Sequence, residues 1–449
     1  MTLPCRKSLK RLALLLPLLL LSLPALALEK APDATFHARR VALGNRLQNG
    51  VAVLFAAEEP LLDFMPYRQD EDFYYLTGWN EPSAALLIAG SASSPAGYKE
   101  ILFLPTRDLR MEKYTGVKLD AATPEAAHRA GVDAVLPLTE LPATLNKLID
   151  TNRRLLGNMW IQPTTPAARS LAEFTAATLG KGTPATHDVT QLTAQLRVVK
   201  DGGEADLLQK AATASIAGQR ELFKYVKPGI TERALAGKMI AAWMGAGCER
   251  PSYAPIVGTG INSTVLHYAD NSATLQDGDV VLVDAACEYS MYASDITRTL
   301  PVNGHFTARQ REIYNVVLGA HQAAMKAFVA GKSKINDRDR LDPDSLDTVA
   351  YNYINTHGKD LHGNPLGAYW LHGLGHMVGI DVHDPAEYPA VLKPGMVFTI
   401  EPGVYIPEEK ISVRIECTFL VGADGSLIDL TADLPHTAEE IEAAMARAR

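Results

Sequence analysis

Four acidic residues, each flanked by apolar strand-forming sequence, constrain the fold of this 449-residue chain more than any other feature. They are Asp284 after GDVVLV, Asp295 before ITRTL, Glu401 after MVFTI and Glu416 inside ISVRIECTFLV. Any one of them alone would be read as a solvated strand end. Burying an uncompensated carboxylate is costly, however, and two carboxylates that face each other across a hairpin also repel. The fold is therefore expected to gather these acids around a cation.

Histidine is concentrated close to the third of these acids. Of the 12 histidines, five fall within the 27 residues from His357 to His383. The motif LHGLGHMVGIDVHD contributes His372, His376 and His383. Several carboxylates with imidazole, and no evident pair of thiolate ligands, suit hard or borderline ions such as Mn²⁺, Co²⁺ or Zn²⁺. Two such ions that share carboxylates are typical of hydrolases.

Two other polar segments are predicted to be solvated. His357 and His362 lie in THGKDLHGNPLG, where glycine and asparagine indicate a loop. The acidic segment 337–347 alternates aspartates but lacks the glycine and terminal glutamate that a calcium-binding EF-hand requires. We expect neither segment to bind a metal ion.

The first 27 residues have the pattern of a cleavable secretory signal. Four positive charges precede an uncharged, leucine-rich run, which ends in the small-residue pattern Ala25-Leu26-Ala27. Pro17 and Pro24 interrupt that run, so a permanent membrane anchor is the weaker interpretation. We expect an exported protein, periplasmic or secreted, with no stable membrane anchor.

Charge and cysteine content argue against two classes of protein. The net charge of −8 becomes −12 without residues 1–27, which carry four basic residues and no acidic ones. No basic stripe is visible, so nucleic acid is not an expected partner. Cys248, Cys287 and Cys417 remain, and an odd number leaves at least one thiol free. The chain is therefore not expected to be a disulfide-dense scaffold.

The pattern of secondary structure changes near residue 190. Before that point, strand-like runs at 51–57, 84–90 and 100–105 are interleaved with helical stretches, which indicates an α/β layer. After it, Asp201 and Glu204 predict a capping box that opens a long helix. Further helical segments are predicted at 205–226, 231–246, 307–330 and 343–357, alternating with β-rich stretches. We therefore predict an N-terminal α/β domain over 28–190 and an α+β domain over 191–449.

The ordered set of acids and histidine resembles the metal-binding residues of the pita-bread metallopeptidases. Within them the chain is most similar to Xaa-Pro aminopeptidases (aminopeptidase P) and Xaa-Pro dipeptidases (prolidases). The matching motifs are VLHYADN (265–271), DAACEYSMYASDITRTLPVNG (284–304), LHGLGHMVGIDVHD (371–384), LKPGMVFTIEPGVYI (392–406) and VRIE (413–416). MPYRQDEDFYYLTGWNEPSAALLI (65–88) resembles the domain that precedes the catalytic one in this group. The resemblance implies the creatinase/aminopeptidase fold for 191–449.

The same resemblance assigns roles to individual residues. It implies two divalent metal ions, Mn²⁺ in the first place and Co²⁺ or Zn²⁺ as alternatives. His376 and Glu401 would share one ion and Asp284 would chelate the other. Asp295 and Glu416 would bridge the two ions. Glu401 would also act as general base and carry a proton to the leaving prolyl nitrogen.

Further residues are implied to surround the metal ligands. His267, His372 and His383 would act as hydrogen-bond donors to the substrate. Arg414 and Tyr405 resemble a pair that forms a proton relay with an acid of the N-terminal domain, for which Asp63 is the candidate. The motif DITRT adds Arg298, which either neutralises the acidic site or lies at the surface. Cys417 stands where the family usually has Asp or Asn, and strand alternation should turn it away from Glu416.

The implied activity is hydrolysis of the bond between an N-terminal residue and a following proline, by an exported enzyme with two metal ions. An Xaa-Pro dipeptidase is the first alternative, and an inactive pita-bread protein that binds peptides or proteins is the second. A bond into proline has no N–H, so a dedicated pocket must recognise the ring. The expected partners are a proline-containing peptide and further copies of the chain, as a dimer or tetramer.

Overall fold

A computed structural model describes residues 28–47, 50–58, 66–90, 99–151, 159–161, 186–337 and 339–449. The predicted signal segment 1–27 and Asp63 lie outside these residues. Within them, no helix combines the length and the apolar character that crossing a membrane would require.

The N-terminal part is built on a mixed six-stranded sheet. Its strands are β1 (Val51–Phe55), β2 (Ala85–Ala89), β3 (Glu100–Leu104), β4 (Ala134–Pro137), β5 (Met159–Ile161) and β6 (Thr186–His187). Their order across the sheet is β4-β3-β2-β1-β5-β6. β2 is antiparallel to both β1 and β3, whereas β4 pairs in parallel with β3, and β5 pairs in parallel with β1 and β6.

The apolar runs at 51–57, 84–90 and 100–105 form strands, as predicted, and these strands are next to one another in the sheet. All residues of β1, β2 and β3 are buried, which explains why these strands are apolar, apart from Glu100 at the start of β3, rather than alternating. The helices of this part are α1 (Asp33–Arg46), α2 (Glu71–Thr77), α3 (Glu112–Thr115), α4 (Ala126–Ala130) and α5 (Leu141–Thr151).

Longer helices follow along the chain. They are α6 (Thr190–Arg197), α7 (Gly202–Tyr225), α8 (Glu232–Gly245), α9 (Ala308–Ala327), α10 (Leu346–His357) and α11 (Ala438–Ala448). The predicted capping box is present at the start of α7, where the Asp201 side chain accepts from the Glu204 N–H and Glu204 accepts from the Asp201 N–H. The four predicted helical segments of this half correspond to α7, α8, α9 and α10.

The strands of the second half form small antiparallel sheets. They are β7 (Arg250–Pro251), β8 (Ile256–Thr259), β9 (Val280–Asp284), β10 (Cys287–Glu288), β11 (Thr297–Pro301), β12 (Lys334–Ile335), β13 (Ala390–Val391), β14 (Val397–Ile400), β15 (Gly403–Ile406), β16 (Ile411–Arg414), β17 (Cys417–Val421) and β18 (Leu427–Asp429). Two sheets have three strands, in the orders β11-β9-β8 and β14-β17-β18. β15 pairs with β16, β7 with β10, and β12 with β13.

One strand prediction is corrected. ISVRIECTFLV reads as a single run, but the chain leaves β16 after Arg414 and enters β17 at Cys417, in a different sheet. Glu416 therefore lies at the break between two strands and not in the interior of one. Alternation still holds, because Cys417 is buried beside Arg298 and Glu416 faces the cavity described below.

A disulfide joins Cys248, just after α8, to Cys287 in β10. Cys417 is the free, buried cysteine of the described residues. This agrees with the prediction that at least one thiol stays unpaired.

Buried ion pairs connect the two halves of the chain. Arg197 at the end of α6 contacts Asp72 of α2 at 2.7 Å and Asp384 of the catalytic half at 2.6 Å. Lys200 contacts the second oxygen of Asp384 at 2.8 Å. All four side chains are at most 5% exposed. The segment that follows α6 is thus fixed to the loop that carries His383.

Candidate active site

The structure brings the five predicted ligands together around one cavity of about 270 Å³. They are Asp284, Asp295, His376, Glu401 and Glu416. Ligand atoms of His376, Glu401 and Glu416 all lie within 4.8 Å of one another, and so do those of Asp284, Asp295 and Glu416. Glu416 belongs to both groups, which is the position a bridging carboxylate needs. A third such group joins Asp295, His376 and His383, so His383 is also within reach of a cation.

Strand pairing places these residues. β9 and β11 are antiparallel, with Asp284 opposite Thr297, and Asp295 lies just before that pair. The Glu416 N–H donates to the Thr297 carbonyl at 3.2 Å, which brings the break between β16 and β17 against the same hairpin. On the other side, the Glu401 N–H donates to the Leu374 carbonyl at 2.8 Å, next to the segment that carries His376. The site therefore exists only when several sheets are correctly paired.

Two hydroxyl groups that the sequence analysis did not identify hold the carboxylates. The Tyr253 hydroxyl lies 2.6 Å from Oδ1 of Asp284 and 2.5 Å from Oδ1 of Asp295. The Thr297 hydroxyl donates to Oε2 of Glu416 at 2.5 Å. PSYAPIVGTG, which contains Tyr253, carries no recognisable signal of this contact, because the partners come from β9 and the loop before β11.

The pKa values of three acidic residues in the cavity are shifted in the direction that a bound cation would reverse. Burial and the neighbouring carboxylates raise the pKa of Glu416 well above its usual range, and burial raises the pKa of Glu401 to about 7. The pKa of Asp284 is also raised, because burial outweighs the effect of Arg414. Burial works to lower the pKa of His376, but the hydrogen bond to Asp295 and the charge of Glu401 raise it to about 9.

These raised pKa values indicate that the positive charge of the surrounding side chains is too small to keep all of the carboxylates ionised. A divalent ion within the two donor groups would supply that charge and keep every acid ionised. The donor set of carboxylate oxygens and one imidazole suits ions that prefer oxygen and nitrogen ligands. The residues therefore fit a divalent metal.

A chain of hydrogen bonds leads from Asp284 to His372. Arg414, which is 4% exposed, pairs with Oδ2 of Asp284 through Nη2 and donates from Nη1 to the Tyr405 hydroxyl at 2.8 Å. That hydroxyl lies 2.7 Å from Nε2 of His372. The Gly373 carbonyl can only accept, so Nδ1 of His372 donates to it at 2.7 Å. Burial lowers the pKa of His372 to about 3, so its ring is neutral and Nε2 accepts the proton of the Tyr405 hydroxyl. Arg414 and Tyr405 thus act together, and Asp284 provides the acid end of this chain.

The three predicted donor histidines differ in what they offer. Both ring nitrogens of His372 are already occupied, so it lines the cavity without a free N–H, unlike the expectation. His267 and His383 line the same cavity, and their ring nitrogens have no hydrogen-bond partner among the described residues. The His383 ring lies 3.9 Å from that of His376, and burial together with the His376 charge lowers the pKa of His383 to about 4. His267 and His383 are therefore the imidazoles available to a substrate.

Arg298 fits neither of its two expected roles. It is 1% exposed, which excludes a surface position, and it contacts no carboxylate of the described residues. Its guanidinium donates to the backbone carbonyls of Thr297, Glu416, Leu434 and Pro435 at 2.7 to 3.3 Å. Arg298 thereby fixes the backbone at Glu416. His357 and His362 are exposed and lie outside the cavity, as predicted.

Comparison with known proteins places this geometry in a context. Two family models match the chain: metallopeptidase family M24 over residues 206–423, and the aminopeptidase P N-terminal domain over residues 36–156. The Xaa-Pro aminopeptidase of Escherichia coli (strain K12) is 34% identical over 440 residues, covering 92% of this chain and 98% of that protein. Xaa-Pro aminopeptidase 3 of Mus musculus is 34% identical over 398 residues, covering 84% of this chain and 76% of that protein.

The chain is also similar to solved structures of aminopeptidases over almost its whole length. Zn-substituted E. coli aminopeptidase P in complex with product superposes with a TM-score of 0.80 at 32% identity, covering 94% of this chain and all of that one. Aminopeptidase PepP of Pseudomonas aeruginosa superposes with a TM-score of 0.80 at 30% identity, covering 93% of this chain and 99% of that one. The similarity extends over both halves of the chain and includes the pita-bread fold.

Proposed function

The chain belongs to metallopeptidase family M24, and we propose that it removes the N-terminal residue from peptides whose second residue is proline. One observation carries the proposal: five metal-binding side chains and three histidines surround a single cavity in a chain that is similar over almost its whole length to Xaa-Pro aminopeptidases. The metallopeptidase fold sets the reaction class. The cleavage position is inferred from the relatives.

The residues divide the work of hydrolysis as follows. Glu401, at the edge of the donor set, takes a proton from the attacking water and passes it to the prolyl nitrogen. His383 and His267 donate to the oxygen of the scissile carbonyl as negative charge develops there. His372 is held by Tyr405 and Gly373 and forms a wall of the proline pocket. A wall of this kind suits proline, since the ring has no N–H to recognise.

We further propose two divalent ions, with Mn²⁺ as the resident metal and Co²⁺ or Zn²⁺ as substitutes. The ligands are those implied by the resemblance, with Asp295 and Glu416 between the two ions. The presence of Glu416 in both donor groups supports this arrangement. Bound there, the ions would supply electrophilic activation of the scissile carbonyl and of water.

The organisation of the whole protein is part of the proposal. The match to the aminopeptidase P N-terminal domain ends at residue 156, and the match to metallopeptidase family M24 begins at residue 206. The proposed domain boundary near residue 190 lies between them. The leader 1–27 supports export to the periplasm or the medium. A homo-oligomer, dimer or tetramer, completes the proposal.

The test uses mature protein stripped of metal and then supplied with Mn²⁺, Co²⁺ or Zn²⁺. Its substrates are a dipeptide, Ala-Pro, a tripeptide, Ala-Pro-Ala, and the proline-free Ala-Ala-Ala. Glu401→Gln keeps the shape of the side chain and removes the base. We expect metal-dependent release of alanine from Ala-Pro-Ala, none from Ala-Ala-Ala, and a loss of at least about 100-fold in kcat for Glu401→Gln.

Other outcomes have distinct meanings. Cleavage of Ala-Pro alone would make the protein an Xaa-Pro dipeptidase. No cleavage with any of the three ions bound would contradict a peptidase with this specificity and leave a peptide-binding protein.

A further inference from the structure

Arg340 occupies an unusual position beside the cavity. It lies in the loop between β12 and α10, and its guanidinium stacks on the rings of Tyr351, at 4.4 Å, and Trp370, at 5.1 Å. Its Nη2 donates to the His372 carbonyl at 3.3 Å. Two aromatic faces and one hydrogen bond therefore hold a positive charge next to the wall of the proline pocket.

This positive charge has no carboxylate partner among the described residues, although the loop is acidic. Asp342 pairs with Lys334, and Asp344 pairs with Lys332 at 3.0 Å. Asp337 accepts from the Asp342 N–H at 3.1 Å. Nε of Arg340 is buried and lacks a hydrogen-bond partner within the described part of the chain. A buried donor without a partner costs free energy, so the guanidinium is not fully satisfied by the protein.

Charge is distributed unequally along the substrate path. His383 lines both the metal cavity and a neighbouring cleft of about 500 Å³, which also contains Asp70, Glu71 and Asp381. Asp72 also lines this cleft, and with Arg68 and Arg197 as its only cations among the described residues, the acidic side chains are in excess by two. Arg340 lies next to another part of the cavity lining, where it contacts His372. A peptide placed with its amino group towards the acidic cleft would direct its carboxyl end towards Arg340.

The surroundings of Arg340 can accommodate a short chain. Asn336 lines the cavity, while Leu341 and Leu371, the sequence neighbours of Arg340 and His372, are 84% and 58% exposed. Arginine suits this task because its planar group binds both oxygens of a carboxylate.

We propose that Arg340 binds the C-terminal carboxylate of a tripeptide, Xaa-Pro-Xaa, and so favours short peptides over longer ones. The inference rests on the proposed function, since it assumes that the proline ring lies against His372. It makes Arg340 a specificity-determining residue outside the metal centre, and it requires no chemical step from Arg340.

The test compares Ala-Pro-Ala with its C-terminal amide. With Mn²⁺-loaded wild-type protein we expect kcat/KM to be about 10-fold higher for the acid, mainly through KM. In Arg340→Met this ratio should fall to about one. Arg340→Lys, which keeps the charge but not the planar group, should give an intermediate ratio. Lys332→Met removes a positive charge just before β12, which pairs with Asp344 of the loop, and should keep the wild-type ratio.

Binding of the product Pro-Ala and of its amide, measured by calorimetry, gives a readout that does not need turnover. The same acid-to-amide preference is expected, and it should disappear in Arg340→Met. A wild-type ratio near one, or an unchanged ratio in Arg340→Met, would overturn the inference while leaving the aminopeptidase proposal intact. A different result would overturn the aminopeptidase proposal instead. In that result no peptide is cleaved, but Pro-Ala still binds more tightly than its amide, and Arg340→Met abolishes this difference.

Discussion

A single hydroxyl holds two of the carboxylates in the metal cavity. Tyr253 reaches Asp284 and Asp295 but has one proton, so it donates to one oxygen at a time. Burial and these two charges raise the pKa of Tyr253 well above its usual value, which keeps the proton on the hydroxyl. The residue thus positions ligands rather than acting as a base.

Replacing Tyr253 by phenylalanine should weaken metal binding. Without the hydroxyl, the two carboxylates lose their shared donor and its hold on their orientation. We expect affinity for Mn²⁺, or kcat/KM at limiting metal, to fall about 10- to 100-fold. Tyr314→Phe removes a comparably buried hydroxyl, whose partner is the His436 carbonyl at 2.7 Å, and should leave metal affinity unchanged. Equal effects of both variants on metal affinity would argue against a specific role for Tyr253.

Residues of the site were predictable from sequence to different degrees. The acids and histidines are recognisable because they lie in distinctive motifs and because buried charges have few explanations. Tyr253 and Thr297 could not be found in this way, since tyrosine and threonine are ordinary in strand-rich sequence and acquire their role only from distant partners. Arg298 was ambiguous because its partners are backbone carbonyls, which leave no pattern in the sequence.

At the scale of elements, the Cys248–Cys287 disulfide fixes the end of α8 to the sheet formed by β7 and β10. It closes a loop with a sequence separation of 39 residues that contains β8 and β9. A covalent link of this length stabilises the fold by restricting the unfolded chain.

Removing this link should lower the free energy of unfolding. For a chain beginning at Leu28, we expect a decrease of about 2–4 kcal/mol in urea denaturation after reduction or in the Cys248→Ala, Cys287→Ala double variant. The double variant serves as its own control, because reductant should no longer affect it. Thiol titration of the unfolded, unreduced protein should detect Cys417 alone. Three reactive thiols would show that the disulfide does not form.

Elements were predicted best where one signal dominated. The capping box at Asp201 fixed the start of α7, and the apolar runs identified β1, β2 and β3. The break at Glu416 was not visible, because ISVRIECTFLV keeps its apolar character across it. Only the pairing of β16 with β15 and of β17 with β14 separates the two strands, and such pairing is decided by tertiary structure.

For the whole molecule, the buried network around Asp384 joins the N-terminal half to the catalytic half. Arg197 and Lys200 hold the pKa of Asp384 below its ordinary value, despite burial. A carboxyl group with a lowered pKa in the folded state stabilises that state above the unfolded pKa, of about 4. The contribution is lost as the pH falls through the folded pKa.

Asp384→Asn should therefore be costly at neutral pH. The change leaves Lys200 without its carboxylate partner and removes one of the two partners of Arg197. We expect the free energy of unfolding to fall by about 3–5 kcal/mol at pH 7. In urea denaturation the difference from wild type should stay constant down to about pH 5 and shrink below about pH 4. Asp206→Asn, which removes an exposed partner of Lys210, should change stability by less than about 1 kcal/mol. A difference that grows towards acid pH would contradict the assignment.

The register of β9 against β11 has a consequence for misfolding of this protein. Side chains alternate along a strand, so a slip of one residue would turn Asp284 away from Asp295 and Glu416. Such a molecule could keep its helices and most of its core, yet it would present no complete donor set. Metal uptake then acts as a check on assembly: an ion that binds only the correct register stabilises it in proportion to its affinity and concentration. Protein that has the helix content of the folded state, yet binds no metal ion when one is supplied, would therefore be identified as having mispaired strands.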